Sequence, residues 1–179
     1  NMVENLLSVT RIQGDSLSIN TTEEPVEEVV GEALEKLKKR YPDAAILVKI
    51  PEEFLMIPMD AVLIEQVTIN LLENAIVHSG SILPIDFIVE DHPDNVAFII
   101  RDYGKGLSEE KLQNLFEMGT YNDSQSSDSR KGMGIGLSIC KTIITAHHGT
   151  LNGRNHAEGA EFCFTLPKNT GKDMDQRNE

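Results

Sequence analysis

Two asparagines, Asn70 and Asn74, stand four residues apart in the segment EQVTINLLENAIVHS (residues 65–79). A helix turns by about 100° per residue, so it would present both amides on one side. Amide oxygens stacked in this way suit a hard cation such as Mg2+, which keeps several waters and bridges protein to phosphate groups. A plain solvent-facing side would carry Lys and Glu, because Asn is a poorer helix former. The alternative is a buried helix whose amides bond to neighbouring backbone, and this segment alone leaves both readings open.

A second candidate site is Asp102, which is followed by Gly104 and Gly106 in the pattern D-x-G-x-G. A carboxylate at the end of a predicted strand can accept hydrogen bonds from an exocyclic amine, and glycines let the backbone approach a flat ligand. An ordinary turn carries the same pattern, so the alternative is that these residues only reverse the chain.

The third candidate is a glycine run that opens a helix, Gly132-Met133-Gly134-Ile135-Gly136, preceded by Arg130 and Lys131. The free N–H groups and the positive dipole end of a helix start favour phosphate. The dinucleotide fingerprint G-x-G-x-x-G has a different spacing, and the chain has no G-x-x-x-x-G-K-[ST] loop. The run therefore predicts a phosphate site of another kind.

The segment before the glycine run, residues 117–131, is rich in Ser, Asp and Asn and has almost no apolar residue. A polar stretch of this length within a compact domain is typical of a lid or of disorder. At the other end of the glycine-opened helix, His147 and His148 precede Gly149. We expect these histidines to compensate the helix dipole rather than to bind metal or act in catalysis.

The remaining pattern supplies elements that could position these groups. Asp60 is expected to cap the asparagine helix, and Ser108 a short helix reaching Leu115 and Phe116. Alternating apolar residues predict a short strand at Leu17 and Ile19. The other predictions are a helix from about Pro25 to Tyr41, strands at residues 46–50 and 54–57, a hairpin of residues 85–89 and 96–100, and a final strand pair at residues 151–154 and 161–166.

The composition indicates one globular domain, with 179 residues and 40% hydrophobic content. A net charge of −13 disfavours nucleic acid and anionic lipid as partners, so a nucleotide would need local donors and a metal. Cys140 and Cys163 form no CxxC pair, which favours two buried free thiols in a reducing compartment over a disulfide. The chain has no apolar run of the ~18 residues that span a bilayer and no secretory signal, which predicts a cytoplasmic domain.

In their order along the chain, four motifs resemble the N, G1, F and G2 boxes of the ATP-binding catalytic domain of bacterial sensor histidine kinases. They are Asn70-Leu71-Leu72-Glu73-Asn74-Ala75, Asp102-x-Gly104-x-Gly106, Phe116 and Gly132-x-Gly134-x-Gly136-Leu137. The segments VTRIQGDSL, EEVVGEAL and VLIEQVTINLLENA are most similar to the potassium- and turgor-responsive members of that family. The resemblance covers residues 17–167. It implies that residues 1–16 are the end of a dimerisation helix and a linker, and we expect a disordered tail at residues 168–179.

The family resemblance implies a two-layer α/β sandwich, with a mixed, mostly antiparallel sheet covered by three helices and ATP between two of them. It implies that Asn74 binds Mg2+, that Asn70 supports the metal and phosphates, and that Arg130 reaches the terminal phosphate. Asp102 would pair with the adenine amine. The other residues implied in nucleotide binding are Glu73, His78, Gly104, Gly106, Phe116, Lys131, Gly132, Gly134, Gly136 and Leu137.

The sequence also departs from the family pattern. Val77 stands where Lys or Arg is common and Met133 where Thr is common, so we expect weak nucleotide affinity. ATP-hydrolysing relatives have Glu at the position of Asn70, and its absence favours a transferase. None of the five histidines has the setting of a phosphoacceptor. The resemblance therefore implies a separate dimerisation domain and a response regulator as partners, a membrane-bound parent and a monomeric isolated domain. The alternative is a nucleotide-sensing or partner-binding module without phosphotransfer.

Overall fold

The computed structural model describes residues 18–116 and 131–169, and for residues 131–135 it describes the backbone only. Within these ranges the helices are α1 (Val26–Arg40), α2 (Ala61–His78), α3 (Glu109–Gln113) and α4 (Lys131–Ala146). The strands are β1 (Thr22–Pro25), β2 (Ile46–Lys49), β3 (Met56–Met59), β4 (Ile85–Asp91), β5 (Asn95–Arg101), β6 (Thr150–His156) and β7 (Gly159–Pro167).

In the part of the chain that the structure describes, five strands form one sheet in the order β2-β4-β5-β7-β6, in which only the β2–β4 pair is parallel. Strand alternation directs Phe87, Phe98 and Phe164 into a core shared with the apolar sides of α1, α2 and α4. The opposite face is more polar and carries Glu161 between Arg101 and Arg154. The predicted two-layer sandwich, with a mixed and mostly antiparallel sheet under three long helices, is confirmed.

Helix α2 lies at the centre because most of its circumference is apolar. Leu71 and Leu72 are fully buried, while Asn70 and Asn74 are half-buried on the remaining arc. Asp60 begins the helix by accepting a hydrogen bond from the backbone N–H of Leu63 at 3.4 Å, as the sequence predicts. The polar arc is therefore held at a fixed rotation by the core on its other sides.

Two predicted strands are displaced in the structure. Ile19 lies outside any strand, so the strand predicted there is wrong for this residue: β1 begins at Thr22 and pairs with β3 as a separate two-stranded sheet. Leu17 lies outside the described residues. The strand predicted at residues 54–57 begins instead at Met56, since Ile57 and Met59 turn inward and are 0% exposed, whereas Phe54 is 71% exposed.

The predicted tail does not begin at Lys168, because that residue is tied to the β4–β5 turn. Its Nζ lies 2.5 Å from Asp91 Oδ1, and its backbone N–H donates to the Asp94 carbonyl at 3.0 Å. Residues 170–179 and the predicted helix end and linker at residues 1–16 lie outside the described residues. Within the described ranges, no helix has both the length and the apolar character needed to cross a membrane.

Both cysteines are free thiols, as the sequence predicts. Cys140 is buried on α4, whereas Cys163 is only partly buried on the outer face of β7. The expectation of two buried thiols is therefore correct for Cys140 and too strong for Cys163.

Candidate functional site

The two asparagines of α2 have different surroundings. Asn70 Oδ1 accepts a hydrogen bond from Gln66 Nε2 at 3.0 Å, and its Nδ2 donates to Cys140 Sγ on α4 at 3.7 Å. Burial raises the pKa of Cys140 to about 12, so this partner stays a neutral thiol. Asn74 lies one turn further on and has no hydrogen-bond partner among the residues that the structure describes. Asn70 therefore joins α2 to α4, while the amide of Asn74 is left for a ligand.

Glu73 faces α1 rather than the side of α2 that carries Asn70 and Asn74. Its Oε1 accepts a hydrogen bond from the Tyr41 hydroxyl at 2.6 Å, and its Oε2 lies 3.1 Å from Arg40 Nη1. Burial, together with the hydrogen bond to Glu73, raises the pKa of Tyr41 to about 12. Because one residue of helix turns the side chain by about 100° from Asn74, Glu73 reaches α1. Glu73 thus joins α1 to α2, and its role in nucleotide binding stays a prediction.

Asp102 follows β5 and is 8% exposed. Its Oδ1 accepts two backbone hydrogen bonds, from Gly104 at 3.0 Å and from Ala160 at 3.1 Å. Among the described residues no donor contacts Oδ2. The carboxylate is therefore fixed by one oxygen and presents the other, which is the arrangement needed to accept a hydrogen bond from an amine.

The two glycines after Asp102 are required by contacts within the protein. A Cβ on Gly104 would lie 1.9 Å from the backbone oxygen of Ser79, at the end of α2. Gly106 has a φ of +75°, and its Cβ would lie 2.8 Å from Asn155 Oδ1. The sequence predicts these glycines for ligand access, but in the structure they bring the Asp102 loop against α2 and β6.

The glycine run lies in the first turns of α4, whose backbone is helical from Lys131. This agrees with the predicted helix start at Gly132, Gly134 and Gly136, and a Cβ on Gly136 would meet nothing within 4 Å. The Leu137 side chain is 2% exposed and packs in the core, and the predicted role of Leu137 in nucleotide binding stays a prediction.

The remaining predicted ligand contacts are placed only in part. Arg130 lies outside the described residues, as does most of the predicted lid at residues 117–131, and the side chain of Lys131 is not described. His78 is half-buried in the last turn of α2, one turn after Asn74. Phe116 packs against the core edge, with Lys141 Nζ 5.5 Å from its ring centroid. The nucleotide contacts of these residues stay predictions.

His147 connects the end of α4 to the start of α2. Its Nε2 accepts the backbone N–H of Asp60 at 3.0 Å, and its Nδ1–H donates to the Ile143 carbonyl at 2.7 Å. Burial lowers the pKa of His147. The ring satisfies a carbonyl at the end of α4, so His147 stabilises this helix end through a hydrogen bond, and the lowered pKa favours the neutral ring.

The end of β6 contains residues near the site that sequence reasoning missed. His156 Nε2–H donates to the Asp102 backbone carbonyl at 2.7 Å. Asn155 brackets Leu107, with Nδ2 2.7 Å from its carbonyl and Oδ1 2.8 Å from its N–H. The sequence shows only a polar turn here, and these contacts join residues 48 and 54 positions apart. No local signal could have indicated them.

Three groups lie on neighbouring elements and define the candidate cleft: the amide of Asn74 on α2, the Oδ2 atom of Asp102, whose loop lies against the end of α2, and the helix start of α4. The Asn70–Cys140 contact holds α2 beside α4. This set fits a flat, amine-bearing base at one end and a cation with a phosphate chain at the other. Asn70 is an amide and takes no proton, so this position of α2 offers no general base for activating water.

Comparison with known proteins finds a matching family model and similar chains. The model of the family described as "Histidine kinase-, DNA gyrase B-, and HSP90-like ATPase" matches residues 59–170. The sensor protein KdpD of Clostridium acetobutylicum is 43% identical over 168 residues, which are 93% of this chain and 19% of that protein. The chain spans about a fifth of the length of the curated relatives it matches first.

Solved structures show the same fold. The nucleotide-free catalytic domain of the histidine kinase ThkA superposes with a TM-score of 0.72 at 27% identity, covering 84% of this chain and 97% of that one. ThkA in complex with its response regulator protein TrrA gives a TM-score of 0.70 at 25% identity, covering 94% of this chain and 48% of that one. The similarity to KdpD agrees with the narrower resemblance seen in the sequence.

Proposed function

Because the chain belongs to the family of histidine kinase-, DNA gyrase B- and HSP90-like ATPases, we propose that it binds Mg2+-ATP as the catalytic domain of a sensor histidine kinase. In a longer parent protein it would transfer the γ-phosphoryl group to a histidine of a dimerisation domain. The similarity to KdpD supports a kinase of that type.

The observation that carries this proposal is a pair of acceptor atoms, Asp102 Oδ2 and Asn74 Oδ1, that have no hydrogen-bond donor among the described residues. Asp102 Oδ2 would accept a hydrogen bond from the adenine amine, and Asn74 Oδ1 would bind Mg2+. The chain has a net charge of −13 and so offers no overall attraction to a polyphosphate. Bound Mg2+ would supply positive charge beside the phosphates. The backbone N–H groups at the start of α4 would hold the phosphate oxygens.

The contacts of Asn70 favour transfer over hydrolysis. A hydrolase needs a base to orient and deprotonate water, whereas Asn70 is a neutral amide engaged by Gln66 and Cys140. In the proposed reaction the acceptor histidine nitrogen forms the bond to the γ-phosphorus, the bond to the β–γ bridging oxygen breaks, and ADP leaves. The nucleophile comes from the partner domain and needs no base on α2.

The partners and location follow from the same proposal. ThkA forms a complex with a response regulator, and we infer that the parent of this chain also passes its phosphoryl group to such a protein. We place this domain in the cytoplasm of a parent held in the bacterial inner membrane, and we expect the isolated domain to be monomeric.

Phosphorylation of a separately supplied dimerisation domain tests the proposed function. With γ-labelled ATP and Mg2+, label should appear on the acceptor histidine. Asn74→Ala should abolish the labelling, while Asn152→Ala on the exposed outer face of β6 should leave it unchanged. Equal labelling with both variants would contradict the role of Asn74.

A second candidate function is a nucleotide-sensing module without phosphotransfer. Val77 favours it, because this exposed residue (45%) offers no charge to a phosphate. Nucleotide binding without any labelled histidine on a competent dimerisation domain would favour this candidate. Phosphate release by the isolated domain would instead indicate a hydrolase.

A further inference from the structure

We propose that the β6–β7 turn, taken as residues 155–160 with the adjoining ends of both strands, positions Asp102 and thereby sets the preference for a base with an exocyclic amine. This proposal rests on the proposed nucleotide function and deepens it. It assigns His156 and Asn155 as positioning residues. Asp102 precedes His156 by 54 residues and lies on a different element.

His156 fixes the backbone of the recognition residue. Its Nε2–H donates to the Asp102 carbonyl at 2.7 Å, and its Nδ1 accepts the backbone N–H of Glu158 at 3.3 Å. These two contacts define one neutral tautomer of the ring. The imidazole thus ties the turn to the loop that follows β5.

The aromatic neighbour of Asp102 adds a second restraint. The ring of Tyr103 meets His156 edge-on, with centroids 5.4 Å apart and planes at 82°. The Tyr103 hydroxyl donates to the carboxylate of Asp86 on β4. His156 is therefore held between the Asp102 carbonyl and a tyrosine that is itself anchored to the sheet.

Asn155 holds the other end of the same loop. Its side-chain Nδ2 donates to the Leu107 carbonyl at 2.7 Å, and its Oδ1 accepts from the Leu107 backbone N–H at 2.8 Å. Gly106 can adopt its φ of +75° beside this amide because it lacks a side chain. The loop from Asp102 to Leu107 is thus attached to the turn at both ends.

Gly159 and Ala160 complete the support. The backbone N–H of Asp102 donates to the Ala160 carbonyl at 3.0 Å, and the Ala160 N–H returns a hydrogen bond to Asp102 Oδ1 at 3.1 Å. A Cβ on Gly159 would lie 2.2 Å from the Asp102 carbonyl oxygen. Only a residue without a side chain lets the turn approach Asp102 this closely.

The consequence is a carboxylate aimed before the ligand arrives. Asp102 Oδ1 accepts from Gly104 and Ala160, and the backbone groups of Asp102 bond to Ala160 and His156, so the direction of Oδ2 is set by the protein. Such preorganisation raises affinity by removing the cost of ordering a group on binding. Loss of the His156 contact should therefore weaken recognition of the amine and leave the phosphate contacts intact.

The test compares two nucleotides on matched histidine variants by calorimetry with Mg2+. One ligand is a non-hydrolysable ATP analogue, and the other is the matching purine nucleotide without the exocyclic amine. His156→Phe keeps a ring beside Tyr103 but removes the N–H, while His156→Gln restores an N–H near the same position. His92→Phe is the control. His92 lies at the β4–β5 turn, at the opposite end of the seven-residue strand β5 from Asp102.

We expect His156→Phe to weaken the ATP analogue about fivefold, with less than a twofold change for the nucleotide lacking the amine. His156→Gln should recover most of the loss, and His92→Phe should match the unmodified domain. Equal weakening of both ligands, or none, would overturn the positioning role, provided that thermal unfolding shows each variant to be folded. If the unmodified domain binds neither ligand, the proposed nucleotide function fails instead.

Discussion

The two sides of α2 show how similar polar residues can serve different purposes. On the side toward α1, Glu73 is paired with Arg40 and Tyr41, and Glu65 is paired with Lys36. On the side toward the cleft, Asn74 has no partner within the described residues. Polar groups that a protein satisfies internally contribute to its structure, whereas a half-buried amide without a protein partner is open to solvent or to a ligand. The first side therefore affects stability and the second affects binding.

The largest effect on stability and binding is expected from a change where the Asp102 loop packs against the end of α2. Gly104→Ala would place a Cβ 1.9 Å from the Ser79 carbonyl oxygen, so backbone must move. We expect a loss of about 3 kcal/mol in the free energy of unfolding together with loss of nucleotide binding. Urea denaturation and calorimetry would measure the two quantities.

Gly31→Ala is the matched control for this glycine. Gly31 lies on the exposed side of α1, where a Cβ would meet nothing within 4 Å. Alanine propagates a helix better than glycine, so this variant should gain up to about 1 kcal/mol and bind normally. If both glycine variants behaved alike, close packing of the loop on α2 would not be the cause.

A smaller effect is expected on the α1 side. Glu73→Ala removes the acceptor for Tyr41 and Arg40, which are partly exposed, so the free energy of unfolding should fall by only about 1 kcal/mol. Nucleotide affinity should change less than twofold, because Glu73 points away from the cleft. A tenfold loss of affinity with unchanged stability would support the role in nucleotide binding that the sequence predicts for Glu73.

The smallest effect is a dependence of stability on pH that arises from His147, which lies beside Asp60 and His148. Burial lowers the pKa of His147 from 6.5, so the unfolded chain takes up a proton first as the pH falls. The stability contribution of the neutral ring is complete above about pH 6.5 and is lost as the pH falls through the folded pKa. Urea midpoints across this range should decline, and His147→Gln should flatten that decline. An unchanged slope in the variant would assign the decline to other groups.

The sequence predicts those parts of the fold and site that depend on local patterns. Apolar periodicity locates α1 and α2, and Asp60 and Ser108 cap helices as expected. The orientation of Glu73 and the neutral state of His147 depend on neighbours that only tertiary packing supplies. Sequence spacing alone also could not distinguish Asn70, whose amide is engaged, from Asn74.

The β6–β7 turn shows the same limit more clearly. The β4–β5 turn at residues 91–95 and the turn at residues 155–160 are both polar, and each reads as an ordinary reversal. Only the second lies where β5 ends, because β7 pairs with β5 in antiparallel register and brings Glu161 opposite Arg101. Pairing register therefore decides which turn reaches Asp102.

The central claim is that the cleft side of α2 holds a metal-bound phosphate chain through Asn74. Calorimetry with a non-hydrolysable ATP analogue, with Mg2+ and again with a chelator, tests it on the unmodified domain, Asn74→Ala and Glu73→Ala. We predict that Mg2+ strengthens binding about tenfold or more in the unmodified domain and in Glu73→Ala, but not in Asn74→Ala. An undiminished Mg2+ effect in Asn74→Ala would contradict the account.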